Sequence, residues 1–314
     1  MNLVAEPALG PAKASSAFPG PSGPGPSGPG PSGADRWRDL RKRVLSAVLL
    51  GPAAIACIWL GAEAWTALMA VAVAILAWEW VRLCGFSTRR LPGLAVPLAV
   101  LAAGGLAVGA AWTAALAVLA AGAGLILAIG EKPRFRRAPP VFWLAFGLVY
   151  VGIAGVALIQ LRGDAAAGRI NVLFMFLVVW SSDVGAYLAG RWLGGPKLAP
   201  AVSPNKTWSG ALGGLAAAMA IGVLAAYGME AVGQAAPAPL PWGRVLLVAA
   251  ALGLLAQVGD LFESWMKRRF HVKDTSSLIP GHGGLLDRLD GVLSAAPAAA
   301  LLGVLLGPGE SLWR

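Results

Sequence analysis

Long apolar windows separated by short polar segments run along most of this 314-residue chain. Windows of about 19 residues, the length needed to span a bilayer as a helix, predict nine membrane helices. They cover approximately residues 44–62, 64–82, 91–110, 112–130, 141–161, 170–190, 208–229, 243–262 and 291–307. The break between the third and fourth rests only on glycines at 104, 105 and 109 and on Trp112-Thr113. The pattern predicts an all-α polytopic membrane protein.

Composition supports this class, because only 13% of the residues are charged and 57% are hydrophobic. Soluble domains carry about 25% charged residues. The net charge of the chain is +10. In a membrane protein an excess of Lys and Arg usually lies in cytoplasmic loops that face anionic lipid, so we predict no nucleic-acid partner. Cys57 and Cys84, the two cysteines, lie in or beside apolar segments, which argues against a disulfide or a cysteine metal site.

The N-terminal residues have a different composition from the rest. Residues 1–34 form a Gly/Pro/Ser repeat that lacks the apolar side chains needed to offset the entropy of ordering. We expect a disordered cytoplasmic tail there, followed by a membrane domain over residues 35–314. The chemistry is expected in its C-terminal part, at about 170–307.

Charge patterning predicts the orientation. With nine helices and the N-terminus inside, the outer segments hold only Arg162, Arg169, Arg244 and Arg314, and the inner segments hold the other 21 of the 25 lysines and arginines. Positive residues favour cytoplasmic loops. We therefore expect a cytoplasmic N-terminus, an external C-terminus and a cytoplasmic loop between the eighth and ninth helices.

Acidic residues in or beside spans are expensive in hydrocarbon and are functional candidates. These are Glu79, Asp183, the pair Asp260 and Glu263, and the pair Asp287 and Asp290.

The end of the eighth helix carries a polar face. Asp260, Glu263, Ser264 and Lys267 stand at i, i+3, i+4 and i+7, so they line one side of a helix. For Glu263 the alternative is a simple salt pair with Lys267 at a helix end.

The segment that follows joins a glycine turn to two more carboxylates. Gly281, Gly283 and Gly284 let the backbone approach a phosphate closely. Asp287 and Asp290, at i and i+3, can share Mg²⁺ that also binds substrate phosphates. The competing interpretation is that these acids cap the start of the ninth helix.

His282, in the same turn, is a candidate phosphate contact or acid/base group, or a turn residue that only bonds the backbone. Asp274 is a second candidate for assisting proton movement.

The sixth helix and the loop after it supply a second cluster. Asp183 and Tyr187 share a face at i, i+4, and Arg191 follows one turn later. In the loop, hydroxyls and a lysine in a proline-fixed turn, Ser203-Pro204-Asn205-Lys206-Thr207, suit phosphate oxygens. Basic loops also arise from topology alone.

The chain resembles the phosphatidate cytidylyltransferases, also called CDP-diacylglycerol synthases. Their C-terminal signature of Ser-x-apolar-Lys-Arg, Lys-Asp, His-Gly-Gly and Asp-Arg-apolar-Asp is met from Ser264 to Asp290 without a gap. The resemblance covers roughly residues 40–307. Its further elements are Asp183 to Tyr187, Gly190-Arg191, Ser203 to Thr207 and, more loosely, Trp78-Glu79-Trp80. One departure is Ser209, where family members usually carry an acidic residue.

The resemblance implies an enzyme of the bacterial inner membrane that joins CTP and phosphatidic acid into CDP-diacylglycerol and pyrophosphate at the cytoplasmic side. It implies Mg²⁺ on Asp260, Asp287 and Asp290, K⁺ as a second ion, and a homodimer formed through membrane helices. From the chemistry of the residues we predict that the catalytic ones are Asp260, Lys267, Arg268, Asp274, His282, Asp287 and Arg288. The substrate-binding residues are Asp183, Tyr187, Arg191, Ser203, Asn205, Lys206, Thr207, Ser264, Lys273, Gly283 and Gly284.

Two rival functions remain from the residues alone. In an ion-coupled secondary transporter, Asp183, Asp260 and Asp287 would form a cation pathway, although the charges cluster at one rim. A nucleotide-dependent transferase or kinase for another membrane lipid would keep the same nucleotide site.

Tryptophans at predicted span ends, among them Trp143, Trp242 and Trp313, are expected to anchor at the membrane interface.

Overall fold

The computed structural model describes residues 51–130, 141–233, 239–279 and 283–314. In these residues the chain forms nine helices and one short β-hairpin. The helices are α1 (Gly51–Leu60), α2 (Ala62–Leu83), α3 (Ala95–Val108), α4 (Trp112–Gly130), α5 (Val141–Gly163), α6 (Gly168–Leu193), α7 (Trp208–Gly233), α8 (Trp242–Arg269) and α9 (Leu286–Leu306). The antiparallel hairpin of β1 (Lys197–Ala199) and β2 (Ser203–Thr207) lies between α6 and α7.

The predicted all-α membrane architecture is confirmed. Seven of the helices in the described ranges are long and apolar enough to cross a membrane, while α1 and α3 are shorter apolar helices. The break between the third and fourth predicted spans is confirmed too: α3 ends at Val108, α4 begins at Trp112, and Ala110 between them has a φ of 56°. The predicted tail 1–34 and the start of the first predicted span lie outside the described residues.

Helices α8 and α9 extend beyond their hydropathy windows. Helix α8 continues past residue 262 to Arg269, and α9 begins at Leu286 rather than near residue 291. Windows end a span where charges begin, but backbone hydrogen bonds continue if those charges can pair on one face. The extended ends place Asp260 and Glu263 on α8 near Asp287 and Asp290 on α9.

Close packing of α6 against α7 positions the loop between them. A methyl group added at Gly185 of α6 would lie 2.4 Å from Cβ of Ala217 and 2.9 Å from the carbonyl oxygen of Gly213 on α7. Only glycine permits this approach, and small residues on facing helices allow such close contact. The hairpin is thereby held at the end of this helix pair.

One arginine side chain and one tryptophan side chain hold α1, α2 and α5 together. Arg162 of α5 donates from Nε and Nη2 to the carbonyl oxygen of Ile58, at 2.9 and 2.8 Å. Trp65 of α2 donates from Nε1 to the carbonyl oxygen of Leu158 at 2.9 Å. These bonds satisfy polar groups that would otherwise be buried without partners.

Both cysteines are free, as predicted. Cys84 is fully buried just after α2, and burial raises the pKa of its thiol to about 12. A thiol so shifted stays protonated and unreactive near neutral pH.

The C-terminal residues pack against the bundle at the end remote from the hairpin. The Trp313 indole is fully buried, lies 4.8 Å from the ring of Phe174 between centroids, and donates to Glu230 Oε1 at 3.0 Å. The expectation that Trp313 anchors at the membrane interface is therefore wrong, because α6 and α7 enclose it. We call the end with the β-hairpin the hairpin end, and this one the opposite end.

Candidate active site

Three carboxylates from α8 and α9 meet at the hairpin end. Oxygens of Asp260, Glu263 and Asp290 lie within 4.8 Å of one another. Glu263 is only 3% exposed, and its Oε1 has no hydrogen-bond partner. A buried carboxylate oxygen in this state is costly unless a cation or donor reaches it. We call these three residues the carboxylate trio.

Lys206 connects the β-hairpin to the carboxylate trio. It lies on β2, and its Nζ is 2.5 Å from Oδ2 of Asp260 on α8. The next residue, Thr207, caps α7 by accepting a hydrogen bond at Oγ1 from the Gly210 amide at 3.1 Å. The cap fixes the end of β2, so that the lysine projects toward α8.

Lys267 links α8 to α9. Its Nζ lies 2.6 Å from Glu263 Oε2, one turn earlier on the same helix, and 2.9 Å from Asp287 Oδ1. The salt pair considered for Glu263 is present, and it coexists with membership of the carboxylate trio. The ammonium offsets two of the negative charges that burial brings together.

Asp287 is engaged by the loop before α9. It accepts hydrogen bonds from the Thr275 amide and hydroxyl, both at 3.0 Å, and from the Gly284 amide at 2.8 Å. Its side chain thus ties the first turn of α9 to the loop that precedes it. The sequence grouped Asp287 with Asp260 and Asp290. The structure places Glu263 beside those two, while Asp287 pairs with Lys267 and accepts hydrogen bonds from the loop before α9.

Glu79, on α2, reaches the same loop from another helix. It is fully buried and accepts hydrogen bonds from the Ser276 hydroxyl at 2.6 Å, the Leu285 amide at 2.9 Å and the Leu286 amide at 2.7 Å. The sequence marked this residue as a costly acid without assigning it a task.

The glycine turn is closed by a pair of bonds between Ile279 and Gly283, at 2.9 and 3.2 Å. Gly283 has a φ of 86°, which favours glycine. At Gly284 a methyl group would lie 2.1 Å from Thr275 Oγ1 and 2.8 Å from Glu79 Oε1. The predicted phosphate or acid/base residue His282 lies outside the described residues, as does Gly281.

A cavity of about 570 Å³ opens beside the carboxylate trio, between α6, the hairpin, α7 and α8. Ligand sites for small molecules typically have volumes of about 300–1,000 Å³. The predicted site residues in its wall are Asp183, Tyr187, Arg191, Asn205, Lys206, Thr207 and Asp260. The structure therefore brings the two sequence clusters, from the sixth and eighth helices, to one place.

Several predicted residues lie outside the wall of this cavity. Arg268, Lys273, Asp274 and Arg288 are exposed, and Ser203 and Ser264 are half-buried. Arg268 Nε donates to the carbonyl oxygen of Val202 at 3.4 Å, which attaches the end of α8 to the hairpin.

Gln257 is a site residue that sequence reasoning missed. It lines the cavity, and its Nε2 donates to Ser182 Oγ and to the carbonyl oxygen of Ala211, both at 3.1 Å. The sequence could have indicated this residue, because Gln257 is a polar amide in an apolar helix and lies on the same face as Asp260, three residues later.

Ser209 closes the base of the hairpin. Its hydroxyl donates to the carbonyl oxygen of Gly194 and lies 3.0 Å from Thr207 Oγ1. The hydroxyl therefore has a structural task at the position where the resembled family usually has an acid.

The apolar helices define a multi-pass membrane protein, with its cluster of carboxylates and lysines at one end of the bundle. A family model described as the cytidylyltransferase family matches residues 41–306, and the chain belongs to this family.

Proteins from several bacteria are similar to this chain. A Brucella abortus protein is 39% identical over 286 residues, which cover 87% of this chain and 97% of the relative. A Haemophilus influenzae protein is 34% identical over 280 residues, or 82% of this chain and 96% of the relative. A Bacillus subtilis protein is 36% identical over 157 residues, or 50% of this chain and 56% of the relative. Each bears the name phosphatidate cytidylyltransferase.

Proposed function

We propose that this chain transfers the cytidylyl group of CTP to phosphatidic acid, giving CDP-diacylglycerol and pyrophosphate. The observation that carries the proposal is the position of the carboxylate trio beside a cavity that is large enough for a nucleotide. The wall of this cavity contains the cations Arg191 and Lys206. The relatives named above for this reaction cover most of the chain.

The residues present fit a divalent cation. The oxygens of the carboxylate trio are close enough to share one ion, and Oε1 of Glu263 is buried without a hydrogen-bond donor. Hard oxygen ligands of this kind suit Mg²⁺. We propose that Asp260, Glu263 and Asp290 hold Mg²⁺, which would neutralise charge on the triphosphate. Asp287 as a further ligand rests on its i, i+3 spacing to Asp290 and on the family resemblance, and K⁺ as a second ion rests on the resemblance alone.

The chain's own cations bring two anionic substrates together. Lys206 and Arg191, in the cavity wall, are placed to bind the triphosphate, while Tyr187 and Asn205 offer hydrogen bonds to its oxygens. A phosphate oxygen of the lipid forms a bond to the α-phosphorus of CTP as the bond to the β-phosphate oxygen breaks. The electron pair of the broken bond leaves with pyrophosphate. Positioning and charge stabilisation supply the catalysis.

No strong general base is required for this attack. The second ionisation of a phosphate monoester has a pKa near 6, so the lipid phosphate is already largely a dianion near neutral pH. The protein's task is to hold the attacking oxygen and the α-phosphorus in line despite their repulsion.

We also propose that the hairpin end faces the cytoplasm of a bacterial inner membrane. Support comes from the distribution of positive charge, which favours cytoplasmic segments. In the described residues the hairpin end carries Arg82, Arg89, Arg90, Arg191, Lys197, Lys206, Lys267, Arg268, Arg269, Lys273 and Arg288, and the opposite end carries Arg162, Arg169, Arg244 and Arg314. The lipid's acyl chains would enter between helices, and a homodimer through membrane helices belongs to the same proposal.

The direct test is purified protein in detergent with CTP, phosphatidic acid and Mg²⁺. We expect CDP-diacylglycerol and pyrophosphate in equal amounts, and loss of both in Asp260→Asn. Replacing CTP by ATP, or phosphatidic acid by diacylglycerol, tests a kinase or another lipid transferase. Product only with one of those pairs would refute the proposal.

The transporter alternative is tested by ion or solute flux in sealed vesicles that contain the protein. The acids it requires, Asp183, Asp260 and Asp287, lie together at the hairpin end instead of following a path through the bundle.

A further inference from the structure

The start of α9 is capped by a residue from another helix. Leu285, at the N-cap position, has no side-chain oxygen with which to bond the first amides of the helix, and the usual capping residues are Ser, Thr, Asp and Asn. Glu79 supplies the missing acceptors from a position 206 residues earlier in the chain: Oε1 accepts from the Leu285 amide and Oε2 from the Leu286 amide. Both oxygens of one carboxylate thus hold two consecutive amides.

The same carboxylate also holds the loop that leads into α9. Ser276 donates its hydroxyl to Glu79 Oε1 at 2.6 Å. The neighbouring residue Thr275 bonds Asp287 with both its amide and its hydroxyl. Gly284 lies where these contacts converge and has no room for a side chain. The loop, the helix start and α2 are therefore joined at one point.

By holding the start of α9, Glu79 determines where the carboxylates of Asp287 and Asp290 lie. Asp287 and Asp290 lie in the first two turns of α9, directly after the two amides that Glu79 binds. Their partners, Asp260, Glu263 and Lys267, belong to α8. A shift of the α9 start would move Asp290 relative to the α8 carboxylates, and oxygen ligands of Mg²⁺ tolerate little displacement.

We propose that Glu79 is a positioning residue for the cation site: it sets the first turn of α9 against α8 without touching substrate or cation. The inference rests on the proposed function, because it takes the carboxylate trio as the cation site. It adds a fifth helix, α2, to a site otherwise built from α6, the hairpin, α7, α8 and α9, and so couples the N-terminal half of the bundle to the chemistry.

Glu79→Gln tests this with little change of volume. The glutamine keeps one acceptor oxygen but presents its NH₂ group to a backbone N–H, so one donor loses its partner and the negative charge at the helix start is lost. The matched control is Glu63→Gln, which removes an exposed carboxylate from the first turn of the same helix, at the opposite end.

The readout is binding of Mn²⁺, used as a spectroscopic substitute for Mg²⁺. Free Mn²⁺ is measured by electron paramagnetic resonance, together with thermal unfolding and the Mg²⁺ concentration that gives half-maximal activity. Loss of a residue that orients metal ligands typically weakens metal binding by about 10–100-fold. We expect a decrease of this size in Glu79→Gln, a matching rise in the Mg²⁺ requirement, and wild-type behaviour in Glu63→Gln.

A second variant protects the test against a general loss of folding. Ser276→Ala removes one donor from Glu79 and leaves the carboxylate in place. We therefore expect the wild-type unfolding temperature. We expect Mn²⁺ affinity to fall about threefold, which is less than the loss typical for removing a whole orienting residue. Wild-type Mn²⁺ affinity in a folded Glu79→Gln overturns the inference. If Glu79→Gln does not fold, wild-type affinity in Ser276→Ala overturns it.

The outcome also separates this inference from the proposed function. A wild-type protein that binds no Mn²⁺ and makes no CDP-diacylglycerol would refute the proposed function itself. A wild-type protein that does both, with variants that bind Mn²⁺ equally well, would refute only the role of Glu79.

Discussion

Lys206 on the β-hairpin and Asp260 on α8 form an ion pair at the wall of the cavity, with Nζ 2.5 Å from Oδ2. The two side chains are 25% and 34% exposed, although Nζ of Lys206 itself is buried against the carboxylate. The pair joins the segment expected to bind the triphosphate to the carboxylates expected to bind the cation.

Lys206→Ala should therefore inactivate the protein without unfolding it. Removing one preorganised charge that stabilises a transition state typically costs about 10²–10³-fold in rate, and we expect a loss in this range in kcat/KM. Lys197→Ala is the control, since it removes an exposed cation from the other strand of the hairpin. Activity of Lys206→Ala within threefold of the control would contradict the prediction.

Glu263 and Asp287 should respond differently to neutralisation. Glu263→Gln removes a member of the carboxylate trio, and we expect Mn²⁺ affinity to fall by at least about tenfold. Asp287→Asn keeps one acceptor oxygen, but it loses the charge that pairs with Lys267 and turns an NH₂ group either toward that ammonium or toward the loop donors Thr275 and Gly284, so its main effect should be a lower unfolding temperature. Thermal unfolding and Mn²⁺ titration of both variants decide between them. The reverse pattern would favour the metal set implied by the family resemblance.

Gly284→Ala should be poorly tolerated. Its methyl group would overlap Thr275 Oγ1, 2.1 Å away, and forced overpacking costs about 1–3 kcal/mol. We expect a lower unfolding temperature together with a large loss of activity. Gly228→Ala is the control, because nothing lies within 4 Å of the added group on α7 and alanine favours helix by about 1 kcal/mol over glycine. Equal behaviour of the two variants would show that the turn can relax.

Trp313→Ala should separate stability from chemistry. The indole is fully buried at the opposite end and bonds Glu230, which also pairs with Arg314 at 2.7 and 2.8 Å. Removing a buried tryptophan costs about 3–5 kcal/mol. We expect a markedly lower unfolding temperature but near-normal kcat at low temperature. A loss of kcat in protein shown to be folded would mean that the two ends are coupled.

Acid should weaken the loop between α5 and α6. Burial alone would raise the pKa of Asp164, but hydrogen bonds from the amides of Gly309, Ala167 and Ala166 outweigh it and hold this pKa below its ordinary value. The ionised carboxylate therefore stabilises the folded state above about pH 4, the ordinary pKa, and this contribution is lost as the pH falls through the lowered pKa. Asp164→Asn should unfold at a lower temperature than wild type at pH 7, with a smaller difference near pH 3. A difference independent of pH would contradict this.

The hydropathy pattern predicted the helices well because burial in lipid imposes a long apolar window on each span. It placed the ends of α8 and α9 poorly, since charges such as Lys267 and Asp287 end a window but pair with each other and leave the helix intact. Helix α3 was overestimated for the opposite reason: apolar residues before Ala95 form turns rather than helix.

Spacing along one helix correctly brought Asp260 and Glu263 to one face, because that relation is local. The contacts of Glu79 with Leu286 and of Trp313 with Glu230 join residues 207 and 83 positions apart. Such contacts depend on how the helices are arranged around one another, which a single sequence without a visible repeat does not reveal. The choice between Asp287 and Glu263 in the carboxylate trio was likewise set by tertiary packing.

The bonds between Glu79 and α9 also affect the order in which the protein assembles. Ribosomes make α2 long before the amides of Leu285 and Leu286 exist, so this helix enters the bilayer with a carboxylate that has no α9 donors to bind it. The carboxylate gains these partners only when the last helix arrives. We expect nascent chains that stop before residue 276 to leave the end of α2 accessible to water, and those that include α9 to protect it.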